Sequence, residues 1–187
     1  FDSHSTWHQI FRKMNVSVIG TRGFPYVQGG VEKHCESLYP LIVKEGHSVK
    51  VFRRKAYLNQ SNTAKTFRSV RFWDLWSPRN KNFEAIFHSL LASLICLFDR
   101  PDVVHIHNIG PSLVLPLLKL GRLKTVVTYH SPNYEHHKWS WFAKRLLMLG
   151  ERFMIKWADN VIFVSKKQCE STECANKTHI PNGVAIR

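Results

Sequence analysis

Short apolar runs alternate with amphipathic stretches along the chain from Met14 onward. The segments Asn15–Ile19, 48–53, 69–73, Val103–His107, Thr125–Tyr129 and 160–164 are dense in Val, Ile and Phe and predict strands. Several are nearly continuous in apolar residues, as expected of a parallel sheet covered on both faces. Between them the spacing turns helical. Val31, Cys35, Leu38 and Ile42 form one stripe, with Glu32, Lys33, Glu36 and Lys44 elsewhere on the same helix. Pro40 lies inside that helix and is expected to bend it, and Gly46 is a suitable stop. Further helices are predicted over 83–98, 111–120, 138–157 and 166–175. In the fourth, Trp139, Phe142, Leu146, Leu149, Phe153 and Trp157 share the side expected to face the core.

Strand–helix alternation predicts an α/β fold: a doubly wound, mostly parallel, Rossmann-like sheet with right-handed crossovers. Ligands of such sheets collect beyond the carboxyl ends of the strands. The residues there are the 20–30 loop, Arg53-Arg54, His107-Asn108, Tyr129-His130 and Ser165. The loop stands out. VSVIGTRGFPYVQGGVE, residues 16–32, ends an apolar run in glycines and closes on Gly29-Gly30 at the start of a helix. Glycine leaves backbone N–H groups bare toward an anion, and Arg22 suits a phosphorylated ligand. A Gly-Gly pair alone would signify only a tight connection. Ser165 fits a helix N-cap better than a nucleophile.

Composition narrows this picture. The chain has 187 residues, 44% hydrophobic and 12% aromatic, enough for one packed domain and unlike a disordered polymer. Lys and Arg number 27 against 13 Asp and Glu, a net charge of +14 that suits nucleic acid, an anionic membrane surface or a phosphorylated small molecule. Cys35 and Cys96 sit in apolar helical patterns and read as buried free thiols, while the Cys169–Cys174 spacing fits neither a redox pair nor a zinc knuckle. A reducing, cytoplasmic setting is expected. The apolar stretch 85–98 contains His88 and is short for a membrane span. Residues 1–13 fall outside the regular pattern and read as a leader or extension, and 55–65 as a loop.

The motifs then converge. The run GTRGFPYVQGGVEKHCESLYPLIVKEGHSVKVFRR from Gly20, DVVHIHN at 102–108, VVTYHSPNYEHHKW at 126–139, GERFMIKWADNVIFVS at 150–165 and IPNGV at 180–184 follow in order. Together they resemble a family 4 glycosyltransferase, particularly its rhamnosyltransferase-like branch. The resemblance implies the N-terminal half of a GT-B fold, with 14–180 as the acceptor-side domain and 181–187 as the start of a linker to a C-terminal donor domain. Most donor-nucleotide contacts, including a pair of glutamates, belong to that second domain, so the chain alone is expected to be inactive.

The resemblance also implies roles. Gly29 and Gly30, with Arg22, approach the donor diphosphate. His130 lies near the transferred sugar and is the catalytic candidate. His107 and Asn108 face the cleft beside it. Glu135, His136, His137 and Lys138 match an acceptor-side segment, although YEHHKW departs from the usual acidic–aromatic–basic run. Transfer retains anomeric configuration, with no nucleophile assigned and no cofactor beyond the nucleotide-sugar substrate. The acceptor is a glycan or a lipid-linked molecule.

Other readings remain open. His105 and His107 share one strand face and suit core histidines. Grouping them with His130, His136 and His137 as a metal site lacks a completing carboxylate or cysteine, so no metal is expected. An NADP-dependent oxidoreductase would share the fold and use Arg53-Arg54, but the first loop is not GxGxxG. A basic module for nucleic acid or membrane rests on charge; no nucleic-acid motif is present, so nucleic acid is not the expected partner. Lys138, Lys144, Arg145, Arg152 and Lys156 with Trp141 compose a basic, aromatic-edged face suited to anionic lipid.

Overall fold

The structure, a computed structural model, describes residues 12–58, 63–78, 83–131 and 140–183. Eight strands form one sheet: β1 (Asn15–Ile19), β2 (Ser48–Arg54), β3 (Thr66–Phe67), β4 (Val70–Leu75), β5 (Val103–His107), β6 (Thr125–Tyr129), β7 (Asn160–Phe163) and β8 (Lys177–His179). Their order is β3-β4-β2-β1-β5-β6-β7-β8, with only β3 antiparallel to its neighbour. The helices are α1 (Gly30–Lys44), α2 (Glu84–Asp99), α3 (Leu115–Leu120), α4 (Trp141–Trp157) and α5 (Lys166–Ser171), with a 3-10 turn at Pro111–Val114 leading into α3. This is a doubly wound, mostly parallel α/β sheet of the kind the alternation predicts.

Two strands escape the sequence pattern. β3 and β4 form a hairpin closed by Arg68 and Ser69, whose φ values of 45° and 66° suit a primed turn usually made by Asn-Gly. β8 is exposed along its length and carries no apolar alternation.

The pleat divides the core. Val16, Val18, Val49 and Val51 pack with Cys35 and Tyr39 of α1. On the other face Ile19, Val104, Ile106 and Val127 pack with Cys96 of α2, Leu118 of α3 and Met154 of α4. Cys35 and Cys96 are buried free thiols, as expected. Helix α1 runs unbroken through Pro40. Beside it, over β5–β7, lies an apolar groove of about 420 Å³ lined by Leu38, Ile42, Val103, Val126 and Ile162.

The predicted face of the fourth helix needs correction. α4 buries Ala143, Gly150 and Met154 and packs Phe153 and Trp157 against the core as expected, while Phe142 and Leu149 are exposed and Trp139 lies outside the described residues. A Cβ at Gly150 would collide with Ile109 O, so the small residues, not the aromatics, set the close approach. Ser140 caps the helix by accepting from Ala143 N at 3.3 Å.

Candidate functional site

The chain steps from β1 to β2 and β4 on one side, then returns to place β5 on the other side of β1. That reversal opens a crevice between the ends of β1 and β5, the usual ligand position in such sheets. The 20–30 loop leaves β1 there, and His107-Asn108 leave β5. The two are in contact: Gly20 has φ 102°, and a Cβ on it would collide with His107 O.

Gln28, Gly29 and Gly30 are exposed, so the glycine turn is open. Gly29 is the N-cap of α1 and supplies no side-chain bond to the first-turn N–H groups. The positive end of the helix dipole therefore faces the crevice. Gly29 (φ 148°) is hemmed in, since a Cβ there would strike the Glu32 carboxylate, whereas one on Gly30 meets nothing within 4 Å. Arg22 sits beside the turn. Its backbone N–H donates to Glu32 Oε1 at 3.1 Å, and its Nε and Nη2 reach Glu32 at 3.2 Å. Tyr57 stacks on its guanidinium at 5.4 Å. Glu32 was expected on the polar side of α1, yet it is 4% exposed because Arg22 neutralises it. That pairing also removes the repulsion a free carboxylate would exert on an anion at the helix start.

Next to the turn a file of histidines crosses the sheet. Thr128 Oγ1 meets His105 Nε2 at 2.7 Å, and His105 Nδ1 meets Tyr39 OH at 3.0 Å. Tyr39 OH meets His107 Nε2 at 2.6 Å, and His107 Nδ1 meets His130 Nε2 at 3.0 Å. Both His105 and His107 are thus satisfied core histidines, and His107 additionally supports His130. Burial pushes His105 down to about 3 and His130 down to about 4, with the neighbouring imidazoles adding to the effect. His107 is held well below its ordinary range for the same reasons, burial first. All are neutral near pH 7, so each carries one N–H. Two proton arrangements satisfy the file. In one, His130 ends it with an N–H on Nδ1, and in the other with a lone pair.

Asn108 adopts φ 72° at the end of β5 and donates its N–H to Thr128 O at 3.0 Å. Its Oδ1 is buried without a hydrogen-bond partner among the described residues, leaving an acceptor for a bound hydroxyl. Arg22, Gly29, Gly30, Asn108 and His130 lie around the ends of β1 and β5, with His107 buried behind His130, while Glu135, His136, His137 and Lys138 lie outside the described residues.

Sequence reasoning missed His34, Tyr39 and the buried role of Glu32. Glu32 and Tyr39 flank Cys35 of the apolar stripe at steps of three and four, which does not single them out, and His34 lies off that spacing. His34 stands edge-on to His130 and His107, with ring centroids 5.2 and 5.8 Å away. One nitrogen from each of His34, His107 and His130 falls within 4.8 Å of the others, a spacing able to hold a metal ion. Both His107 nitrogens already have hydrogen-bond partners, Nε2 in Tyr39 and Nδ1 in His130.

The arginines of β2 do not reach the crevice as free cations. Arg53 is fully buried, 2.7 Å from Asp74, with its guanidinium 4.0 Å over the Phe72 ring. Arg54 donates to Glu84 at 2.7 Å. The pair that an NADP-type reading would need for a ribose phosphate serves internal ion pairs.

Comparison with known proteins fits this geometry. The family model of Glycosyltransferase Family 4 matches residues 28–187. No curated protein sequence matches the chain. Among solved structures, sucrose-phosphate synthase from Thermosynechococcus elongatus superposes with a TM-score of 0.70 at 21% identity, over 90% of this chain and 48% of that one. The Anabaena HepE structure in complex with UDP and glucose gives 0.59 at 12% identity, over 92% and 45%. An Arabidopsis thaliana UGT89C1 structure complexed with quercetin gives 0.55 at 14% identity, over 94% and 53%. The chain spans about half the length of these structures.

Proposed function

This chain belongs to glycosyltransferase family 4, and from that premise we propose that it is the acceptor-side domain of a retaining, hexosyltransferase-type enzyme. It moves a sugar from a nucleotide-sugar donor to a glycan or lipid-linked acceptor at the cytoplasmic side of the cell. A donor-side domain, in cis or in trans, supplies the remaining nucleotide contacts. The observation that carries the reading is the open, uncapped start of α1 lying beside His130 and Asn108 at the chain reversal.

Glycosyl transfer places negative charge on the departing diphosphate and positive charge on the sugar ring. The bare N–H groups after Gly29 and Gly30, with the Arg22 guanidinium beside them, stabilise the first. His130, held by His107, orients a sugar hydroxyl, and Asn108 Oδ1 accepts from another. Glu135, His137 and Lys138 are proposed to meet the acceptor. The HepE structure contains UDP and glucose, which makes a uridine diphosphate sugar the first donor to try.

The test is a fluorescence titration of the protein joined to its donor-side domain, with UDP-glucose, other nucleotide sugars and NADPH. A nucleotide sugar is expected to bind, and Gly30→Val to weaken it at least tenfold by filling the open space at the helix start. Tighter NADPH binding, or an unchanged Gly30→Val, would overturn the reading.

A further inference from the structure

Helix α2 is apolar on both sides: Leu91, Ile95 and Leu97 pack against the core, and further large residues face outward. It carries no charged residue between Glu84 and Asp99. Its buried positions are Glu84, His88, Ser89, Ala92, Ser93 and Cys96, small or polar with hardly an exception. Apart from the terminal Asp99, its exposed positions are Phe87, Leu90, Leu94 and Phe98, large and apolar, with Phe98 87% exposed. A helix facing water has the opposite arrangement. Most polar atoms inside are accommodated: Ser89 and Ser93 return their hydroxyls to Ala85 O and Leu90 O, and Glu84 binds Arg54 and Tyr57, while the His88 ring nitrogens are buried without a hydrogen-bond partner among the described residues. The exposed apolar residues are left facing outward.

That side continues onto neighbouring elements. Trp76 stands edge-on to Phe87, with ring centroids 6.3 Å apart. Phe83, just before α2, meets Phe142 of α4 at 6.4 Å. Trp141 is 72% exposed beside it, and Leu120 at the end of α3 is 83% exposed. Contiguous exposed apolar surface on this scale marks a place of contact.

Charge identifies the contact. On α4, Arg145 lies 5.0 Å over the Trp141 ring, and Arg152 and Lys156 are exposed further along. Where α2 and α3 end, Arg100 reaches Gly121 O at 2.8 Å, with Arg122 and Lys124 exposed nearby. The acidic groups here are engaged: Asp99 by Lys50 at 2.5 Å and Glu151 by the Tyr129 hydroxyl at 2.9 Å. Apolar and tryptophan side chains bordered by cations match a bilayer interface containing anionic lipid. A second copy of a chain with net charge +14 would bring the same cations together, which argues against self-association through this face.

We propose that the outer face of α2, with α3 and the amino end of α4, docks the protein onto an anionic membrane surface, with α2 lying in the interface. The docking lies on the opposite side of the sheet from α1 and stands on observations separate from the transfer chemistry. It widens the basic, aromatic-edged face expected on α4: α4 contributes cations and Trp141, and α2 the apolar area. No described helix is long and apolar enough to cross a membrane.

The experiment is sedimentation of the full chain with vesicles of phosphatidylcholine alone and of phosphatidylcholine with phosphatidylglycerol. Binding is expected to the anionic vesicles and to weaken with salt, with tryptophan emission quenched by brominated lipid. Leu94→Gln with Phe98→Gln should reduce partitioning at least tenfold at unchanged melting temperature. Arg145→Gln with Arg152→Gln should reduce binding to anionic vesicles and flatten its salt dependence. Failure of the folded wild type to bind, binding unaffected by both variants, or a concentration-dependent dimer abolished by Leu94→Gln would each overturn the proposal. A lost donor titration with intact vesicle binding would overturn only the transfer reading.

Discussion

Tyr39 has one hydroxyl and two histidine partners, and that arithmetic governs the crevice. As a donor it serves one imidazole, and as an acceptor it receives from the other, so it couples the tautomers of His105 and His107. Tyr39→Phe removes both bonds inside the core and leaves buried nitrogens unpaired, at about 1–3 kcal/mol each. His130 is only half-buried and terminates the file, so His130→Ala leaves fewer groups stranded. The two variants should therefore separate. Tyr39→Phe is expected to lower the melting temperature markedly and to release the fixed His107 tautomer, seen in imidazole nitrogen shifts. His130→Ala should lower turnover by at least tenfold while changing the melting temperature little. A collapse in stability on His130→Ala would make that histidine structural.

At the scale of elements, α1 shows what a glycine pair does when its members differ. Gly29 takes φ 148° with the Glu32 carboxylate and Arg22 against its open side, whereas Gly30 begins the helix facing empty space. Gly29→Ala must displace the Arg22–Glu32 pair and should destabilise the fold by roughly 1–3 kcal/mol. Gly30→Ala adds a good helix former without a clash, and should be neutral or stabilising by up to ~1 kcal/mol. Thermal melts of the two variants decide; equal melting would contradict the close approach at Gly29. The elements themselves were largely legible. β1, β5 and β6 begin and end where their Val and Ile runs do, because both faces of those strands are buried. Helix faces were less legible. Periodicity locates a stripe but not which part of it lies deepest, and on α2 and α4 small residues such as Ala92, Ala143 and Gly150 take the closest approach, with large ones at their flanks. Of the crevice, the residues at strand ends could be found from position alone. Tyr39 and His34 could not, since their partners come from strands distant in sequence.

For the whole molecule, the histidines set a limit on acid stability. His88, His105 and His107 are buried and neutral: burial lowers His88 to about 4 and His105 to about 3, and holds His107 well below its usual value near 6.5. Unfolding returns each to the ordinary value, so between about pH 6.5 and 4 the unfolded chain binds protons that the folded one refuses. Stability then falls with pH, by up to ~1.4 kcal/mol per unit for each histidine. At pH 5 that is about 2 kcal/mol apiece, and three together rival the ~5–15 kcal/mol net stability of an ordinary domain. The protein should be stable above pH 7 and unfold cooperatively near pH 5, taking up about four protons at the transition, since His130, held at about 4, joins the three buried histidines. Near-ultraviolet circular dichroism against pH, with proton uptake measured in parallel, checks both numbers. A fold unchanged down to pH 4 would mean that the histidine file is already protonated or solvated in the native state, and the neutral relay from Thr128 to His130 would have to be abandoned.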